Sequence, residues 1–252
     1  MSAAITQYLA ALGDRLAELG RDEAAALDAA ADACATALMN KHVIHLHDTG
    51  HLISHEMIAR TGGLVAYTPF TYSGALNNAN LHRAANNGSG GSLEERLAAE
   101  RALLEWVFAQ GTLHDGDVLI IGSVSGTGWR LVELALAARA RGITVIALTA
   151  PAHSARLQPQ HPSGKRLFEA ADIVLDNHAQ YGDSFFEIEG FETPVAAISG
   201  IAAAILMWSL TVGIVERLVA RGVEPSVYTS VNLPGGPAAV ESVEARYREL
   251  GY

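Results

Sequence analysis

Residues 117–150 read DVLIIGSVSGTGWRLVELALAARARGITVIALTA, and this stretch limits the fold more than any other in the chain. Val118 to Ile121 is a short apolar run of the kind found in a strand buried on both faces. Ser123, Ser125, Gly126, Thr127 and Gly128 follow as a turn in which only Val124 is bulky. A helix is predicted from Thr127, a good N-cap residue, with Arg130, Glu133 and Arg141 as its polar stripe. Gly142 ends that helix, and Ile143 to Leu148 is a second apolar run. Two parallel strands joined by one helix form a right-handed crossover unit.

The chemistry of the stretch lies in its turn. Small side chains let a ligand approach the backbone, and a helix N-terminus presents unpaired N–H groups with a partial positive charge. The hydroxyls of Ser123, Ser125 and Thr127 add donors, so the turn suits a phosphate monoester. It lacks the lysine of a nucleotide-binding GxxxxGK[ST] loop and is a poor match to GxGxxG. An ordinary tight βα turn with hydroxyl caps would use the same residues, and the turn alone leaves both readings open.

Composition narrows the partners. A net charge of −10 disfavours nucleic acid, although a local site can still take an anion. Half of the 252 residues are hydrophobic, enough for the substantial core of one large domain or two small ones. Cys34 is the one cysteine and sits among alanines, which reads as a buried structural thiol. Residues 1–20 include Asp14, Arg15 and Glu18 and have no continuous apolar centre, so no signal peptide is expected and the chain reads as cytoplasmic. Val195 to Val215 is 21 residues without a charge, long enough to span a bilayer. It is rich in Ala, Gly and Ser and lies within an α/β pattern, so a helix buried on all sides, at a subunit interface, is expected there rather than a membrane span.

Along the chain, residues 2–39 predict two helices broken near Gly20, with Leu9, Leu12, Leu16 and Leu19 on one face of the first. Val43–Leu46 and Leu64–Tyr67 read as strands, with DTGH at 48–51 as a turn and a helix to about Arg60 between them. That turn belongs to the same carboxyl edge of the sheet as residues 123–128. Residues 70–91, with His82 and Arg83, are too long for a plain connection and read as a binding loop or lid. Ser92-x-x-Glu95 is a capping box for a helix to about Gln110, on which Arg101 and Glu105 form a surface pair. Ile173–Leu175 and 226–231 are further strands, and the loop NHAQYGDSFFEIEG carries His178, Asp183, Glu187 and Glu189, whose paired carboxylates suit acid/base chemistry while the alternation with Phe186 and Ile188 fits an ordinary edge strand equally well. His51 and His55 share a helical face with Glu56 beside them. The spacing matches HExxH only in part and no third ligand is evident, so no metal is expected. General acid/base work by His51, His55 or Glu56 and simple hydrogen bonding remain as alternatives. His45 and His47 alternate with Leu46 and point to one side of their strand.

SVSGTG after an apolar strand resembles the Ser-x-Ser-Gly-x-Thr signature of sugar isomerase (SIS) domains. DTGH at 48–51, RTGGLVAYTP at 60–69, HPSGKRLFEAADIVLDN at 161–177, EIEG at 187–190 and VNLPGG at 231–236 resemble a bacterial branch of uncharacterised SIS-domain proteins carrying a phosphoheptose isomerase label. The resemblance implies an α/β three-layer sandwich: a central five-stranded parallel sheet in a flavodoxin-like arrangement, with helices on both faces. It implies one SIS domain over 1–252, with 1–40 as an N-terminal helical extension. It assigns a phosphorylated sugar to Ser123, Ser125, Gly126, Thr127 and Gly128, with Thr49, Gly50 and Ser199 adding contacts. HPSGKRL makes His161, Ser163, Gly164 and Lys165 candidates for a ligand or structural-anion role. His51, His55 and Glu56 are the candidate catalytic residues of an aldose–ketose isomerisation, without cofactor or metal. A lyase, etherase or deaminase sharing the first proton abstraction, and a non-catalytic sugar-phosphate sensor, are the alternatives. Self-association as a homodimer or homotetramer is also implied, with no nucleic-acid or membrane partner. In the relatives the first turn usually reads Gly-Ser/Thr-Gly with a serine soon after; here Asp48 replaces the first glycine and Leu52 stands where the serine is expected.

Overall fold

The apolar runs of the sequence pair side by side, all in one direction, in a computed structural model that describes residues 2–49, 53–74 and 92–252. The strands are β1 (Ile44–Asp48), β2 (Tyr67–Pro69), β3 (Val118–Gly122), β4 (Thr144–Thr149) and β5 (Ile173–Asp176), in the order β2-β1-β3-β4-β5. This is the flavodoxin-like order of a doubly wound sheet. Around it run α1 (Ala3–Asp22), α2 (Ala24–Met39), α3 (Ile53–Met57), α4 (Leu93–Ala109), α5 (Trp129–Arg139), α6 (Pro151–Ser154), α7 (Leu167–Ala170), α8 (Ser199–Ala220) and α9 (Gly236–Leu250). An antiparallel hairpin, β6 (Ser184–Ile188) and β7 (Phe191–Ala197), stands apart from the main sheet.

Strand alternation divides the core in two. Ile44, Leu46, Val118, Ile120, Ile146 and Leu148 face α2 and α8, where Cys34, Leu38, Leu206, Leu210 and Ile214 are buried. Leu119, Ile121, Val145 and Ala147 face α4, α5 and α7 through Leu104, Val132, Leu134 and Leu167. The result is the three-layer α/β sandwich that the resemblance implies. Each leucine buried this fully contributes about 1.5–3 kcal/mol.

Local readings change where distant partners intervene. The first helical pair breaks at Glu23 rather than Gly20, because the buried Glu23 carboxylate accepts Asp176 N at 3.0 Å and faces His178 Nε2 at 3.2 Å. Arg101 pairs with Glu133 on α5, not with Glu105, which instead meets Arg141. Residues 226–231 form no strand: Val227 makes an isolated antiparallel bridge to Leu64. The helix expected from Val195 starts at Ser199, because Val195 to Ala197 belong to β7. It is long and apolar enough to cross a membrane, but its inner face fills the core beside α2, which accounts for the apolar content. It is not buried on all sides, since Val212 is 67% and Val219 59% exposed.

Candidate functional site

In an open parallel sheet, ligands bind outside the carboxyl ends of the strands where the winding reverses. Here that point lies between β1 and β3. The turns leaving these strands border a cleft of about 210 Å³. Asp48, Thr49, Ser123, Asn177, Asp183 and Ser199 form its polar wall, and Ile53, Val124, Leu148 and Ala203 its apolar wall. Gly122 permits the close approach of α3 to β3, since a Cβ there would collide with the Ile53 side chain.

The turn after β3 is held from behind. Gln160 N donates to Thr127 O at 3.2 Å and Leu167 N to Gly126 O at 2.8 Å, while Thr149 Oγ1 donates to Val124 O at 3.2 Å. These bonds displace the expected Thr127 cap: Gly128 is the N-cap, and α5 begins at Trp129. Gly128 has no side chain to cap with. Among the described residues, the N–H groups of Ser125, Thr127, Trp129, Arg130 and Leu131 therefore find no protein acceptor. Ser123 Oγ accepts Gly126 N at 3.3 Å, and the hydroxyls of Ser125 and Thr127 make no bond to described residues. The turn thus leaves several N–H donors unpaired at a positive helix end. Below it, the wholly buried Ser154 Oγ has no partner among the described residues.

The structure sorts the other candidates. Ser199 lies on the cleft, bound to Asp183; Thr49 also lies there, its hydroxyl donating to Gly122 O at 3.2 Å. Gly50, His51, His82 and Arg83 fall outside the described residues. His55 is exposed on α3, and Glu56 accepts from Trp208 Nε1 at 3.1 Å and pairs with Arg60; neither lines the cleft. Glu187 and Glu189 sit exposed on and beside the hairpin, away from the cleft wall. His161 is buried, with Nε2 2.9 Å from Glu133 and Nδ1 2.7 Å from Ser163 Oγ, while Gly164 and Lys165 continue an exposed turn. Among the described residues, no three His, Cys, Asp or Glu side chains converge as metal ligands would. The sequence singles out Asp183 only as one carboxylate of its loop and gives Asn177 no role, yet both line the cleft. The Gly182-Asp183 pair does carry a turn signal, and Asp183 takes a left-handed conformation with φ of 66°.

The SIS domain family model matches residues 7–150, which run from α1 through β4 and include both turns. The chain belongs to the SIS domain family. A UPF0309 protein of Shouchella clausii is 30% identical over 97% of this chain and 96% of its own length. A UPF0309 protein of Halalkalibacterium halodurans is 32% identical over 93% and 94%. Among solved structures, the phosphoheptose isomerase GmhA of Neisseria gonorrhoeae superposes with a TM-score of 0.51 at 18% identity, covering 84% of this SIS chain and 97% of its own. That likeness is one of fold.

Proposed function

We propose that this SIS protein binds a phosphorylated sugar at the carboxyl edge of β1 and β3 and interconverts its aldose and ketose forms. The observation that carries the reading is the uncapped start of α5: its free N–H groups and the hydroxyls of Ser125 and Thr127 belong to the turn whose first residues, Ser123 and Val124, line the cleft. The phosphate occupies Ser123, Ser125, Gly126, Thr127 and Gly128. The sugar extends along Asp48, Thr49, Asn177 and Ser199, whose oxygens suit hydroxyl groups rather than a second anion. Membership of the SIS family and the fold shared with a phosphoheptose isomerase support the substrate class.

In the isomerisation, a base removes the C2 proton of the aldose and the C1 carbonyl oxygen is protonated, giving an enediol. Loss of the C2 hydroxyl proton and return of a proton to C1 then give the ketose. His51, two residues past the cleft-lining Thr49, is the proposed proton carrier. His55 and Glu56, which do not line the cleft, act in this reading from a neighbouring copy in a homodimer or homotetramer; Ile5 and Leu9 on α1 and Val212 and Val219 on α8 are exposed apolar side chains open to such contact. A cytoplasmic setting belongs to the same reading.

One observation favours binding without turnover, as in a sensor: among the described residues the only titratable groups on the cleft are Asp48 and Asp183. A thermal-shift panel of four- to seven-carbon sugars with and without phosphate tests the site, and turnover of each hit tests the reaction. Stabilisation by a phosphosugar, absent for its parent sugar and lost in Ser125→Ala, is the expected result. Unchanged affinity in that variant would remove the turn from the phosphate site, and binding without conversion would select the sensor.

A further inference from the structure

On the opposite face of β1 lies a larger cavity, of about 660 Å³, that shares no wall residue with the carboxyl-edge cleft. Its polar focus is His45. The residue is 4% exposed, and its Nε2 lies 3.1 Å from Oδ2 of Asp117, itself 1% exposed. Asp117 also accepts the backbone N–H of Val43 at 2.9 Å and of His114 at 2.8 Å. Burial opposes its charge, but the bonds from His45, Val43 and His114 outweigh that and hold its carboxyl below the usual aspartate range. A carboxylate only accepts, so Nε2 of His45 carries the proton. In the neutral ring Nδ1 is then a bare acceptor. It has no partner among the described residues, and His45 forms part of the cavity wall.

The remaining wall states what would fit. Thr68, Thr71, Ser73, Gln110 and Thr112 bring neutral hydrogen-bonding groups. Phe70, Tyr72 and Tyr247 supply flat apolar surface, and Trp106 stands at the wall 59% exposed. Among the described residues no lysine, arginine, aspartate or glutamate lines the cavity, so a phosphate would lose its hydration without gaining a counter-charge from them. Aromatic faces combined with several neutral hydroxyl partners and one fixed acceptor match a polyhydroxylated ring. We propose that this cavity binds an unphosphorylated sugar, with His45 Nδ1 accepting a ring hydroxyl and Trp106 packing on the apolar face of the ring. Thr68, the register partner of His45 across β1 and β2, is placed to share that ligand.

Histidine ¹⁵N NMR on the full chain reads the site directly, because the two ring nitrogens of His45 report separately. The probes are D-ribose, D-glucose, D-fructose and N-acetyl-D-glucosamine, each beside its phosphate ester. At least one neutral sugar is expected to shift the His45 Nδ1 resonance saturably, while its ester leaves that resonance unmoved. Trp106→Ala and Thr68→Val avoid stranding the buried Asp117 and are expected to fold. Each weakens the neutral sugar about tenfold, whereas Ser125→Ala does not. The proposal is overturned if no neutral sugar moves His45, if the response survives both variants, or if a phosphate ester occupies the cavity equally well.

Discussion

Asp183 holds Ser199 through both carboxylate oxygens, Oδ1 accepting the backbone N–H at 2.9 Å and Oδ2 the hydroxyl at 2.6 Å. The pair ties the turn before β6 to the first residue of α8, and both members line the carboxyl-edge cleft. Because the Ser199 proton is committed to Asp183, Ser199 meets a ligand as an acceptor. Asp183→Ala removes this cap from α8 and also puts alanine in a left-handed conformation. We expect a loss of about 1–2 kcal/mol in urea unfolding, with a smaller loss for Asn, which tolerates that conformation. An alanine variant as stable as the parent would show that the pair adds nothing to the fold.

Gly126 has φ of +58°, and a Cβ there would lie 3.1 Å from both Leu167 Cβ and Thr149 Oγ1. Gly126→Ala should therefore cost about 1–2 kcal/mol from backbone strain alone. Its diagnostic effect is on the donors of the turn: thermal stabilisation by phosphosugar should fall more than the unliganded melting temperature does. Equal falls would mean that the turn is structural only.

Glu133 takes two bonds from Arg101, at 2.8 and 3.1 Å, and one from His161. Burial raises its pKa, but Arg101 and His161 lower it further, leaving the carboxyl below its ordinary value of 4.5. Its stabilisation is thus complete above the unfolded-state pKa and is lost as pH falls through the lower folded-state value. The stability gap between the parent and Glu133→Gln should hold at neutral pH and shrink only below 4.5. A gap that grows on acidification contradicts this account.

Cys34 has no exposed surface, and burial pushes its thiol up to about 12. Near pH 8 it is a neutral thiol sealed between α2 and the core. A thiol-reactive disulfide reagent should leave the native protein unmodified and label one site after unfolding. Rapid labelling of the native chain would show that α2 opens readily.

The parallel sheet was legible because its signal is local: Val118–Ile121 and Ile143–Leu148 are apolar enough to need cover on both faces. The Ser123–Gly128 turn was legible for the same reason, its small residues falling between a strand and a helix. What escaped depended on partners far along the chain. Thr127 looked like a cap until Gln160 claimed its carbonyl. Arg101 had an obvious helical neighbour in Glu105, yet Glu133 across the helix pair offers a buried bidentate acceptor. Asp183 carries a turn signal, but nothing near it indicates that its partner begins a helix beyond an intervening hairpin. His45 and His47 share a side of β1 by their alternation with Leu46; the cavity before His45 is walled by Thr68–Ser73 together with Trp106 and Val107 of α4 and Tyr247 of α9, a meeting that no strand pattern reveals.

The bonds from Gln160 and Leu167 to the turn after β3 bear on how fast a ligand comes and goes. A loop that must order itself around an anion loses entropy on each encounter, and its association is slowed. This turn is already fixed in the folded protein by backbone bonds that no ligand needs to make. Donors set in advance require little reorganisation, so competing sugars should arrive at similar rates and differ mainly in how long each remains.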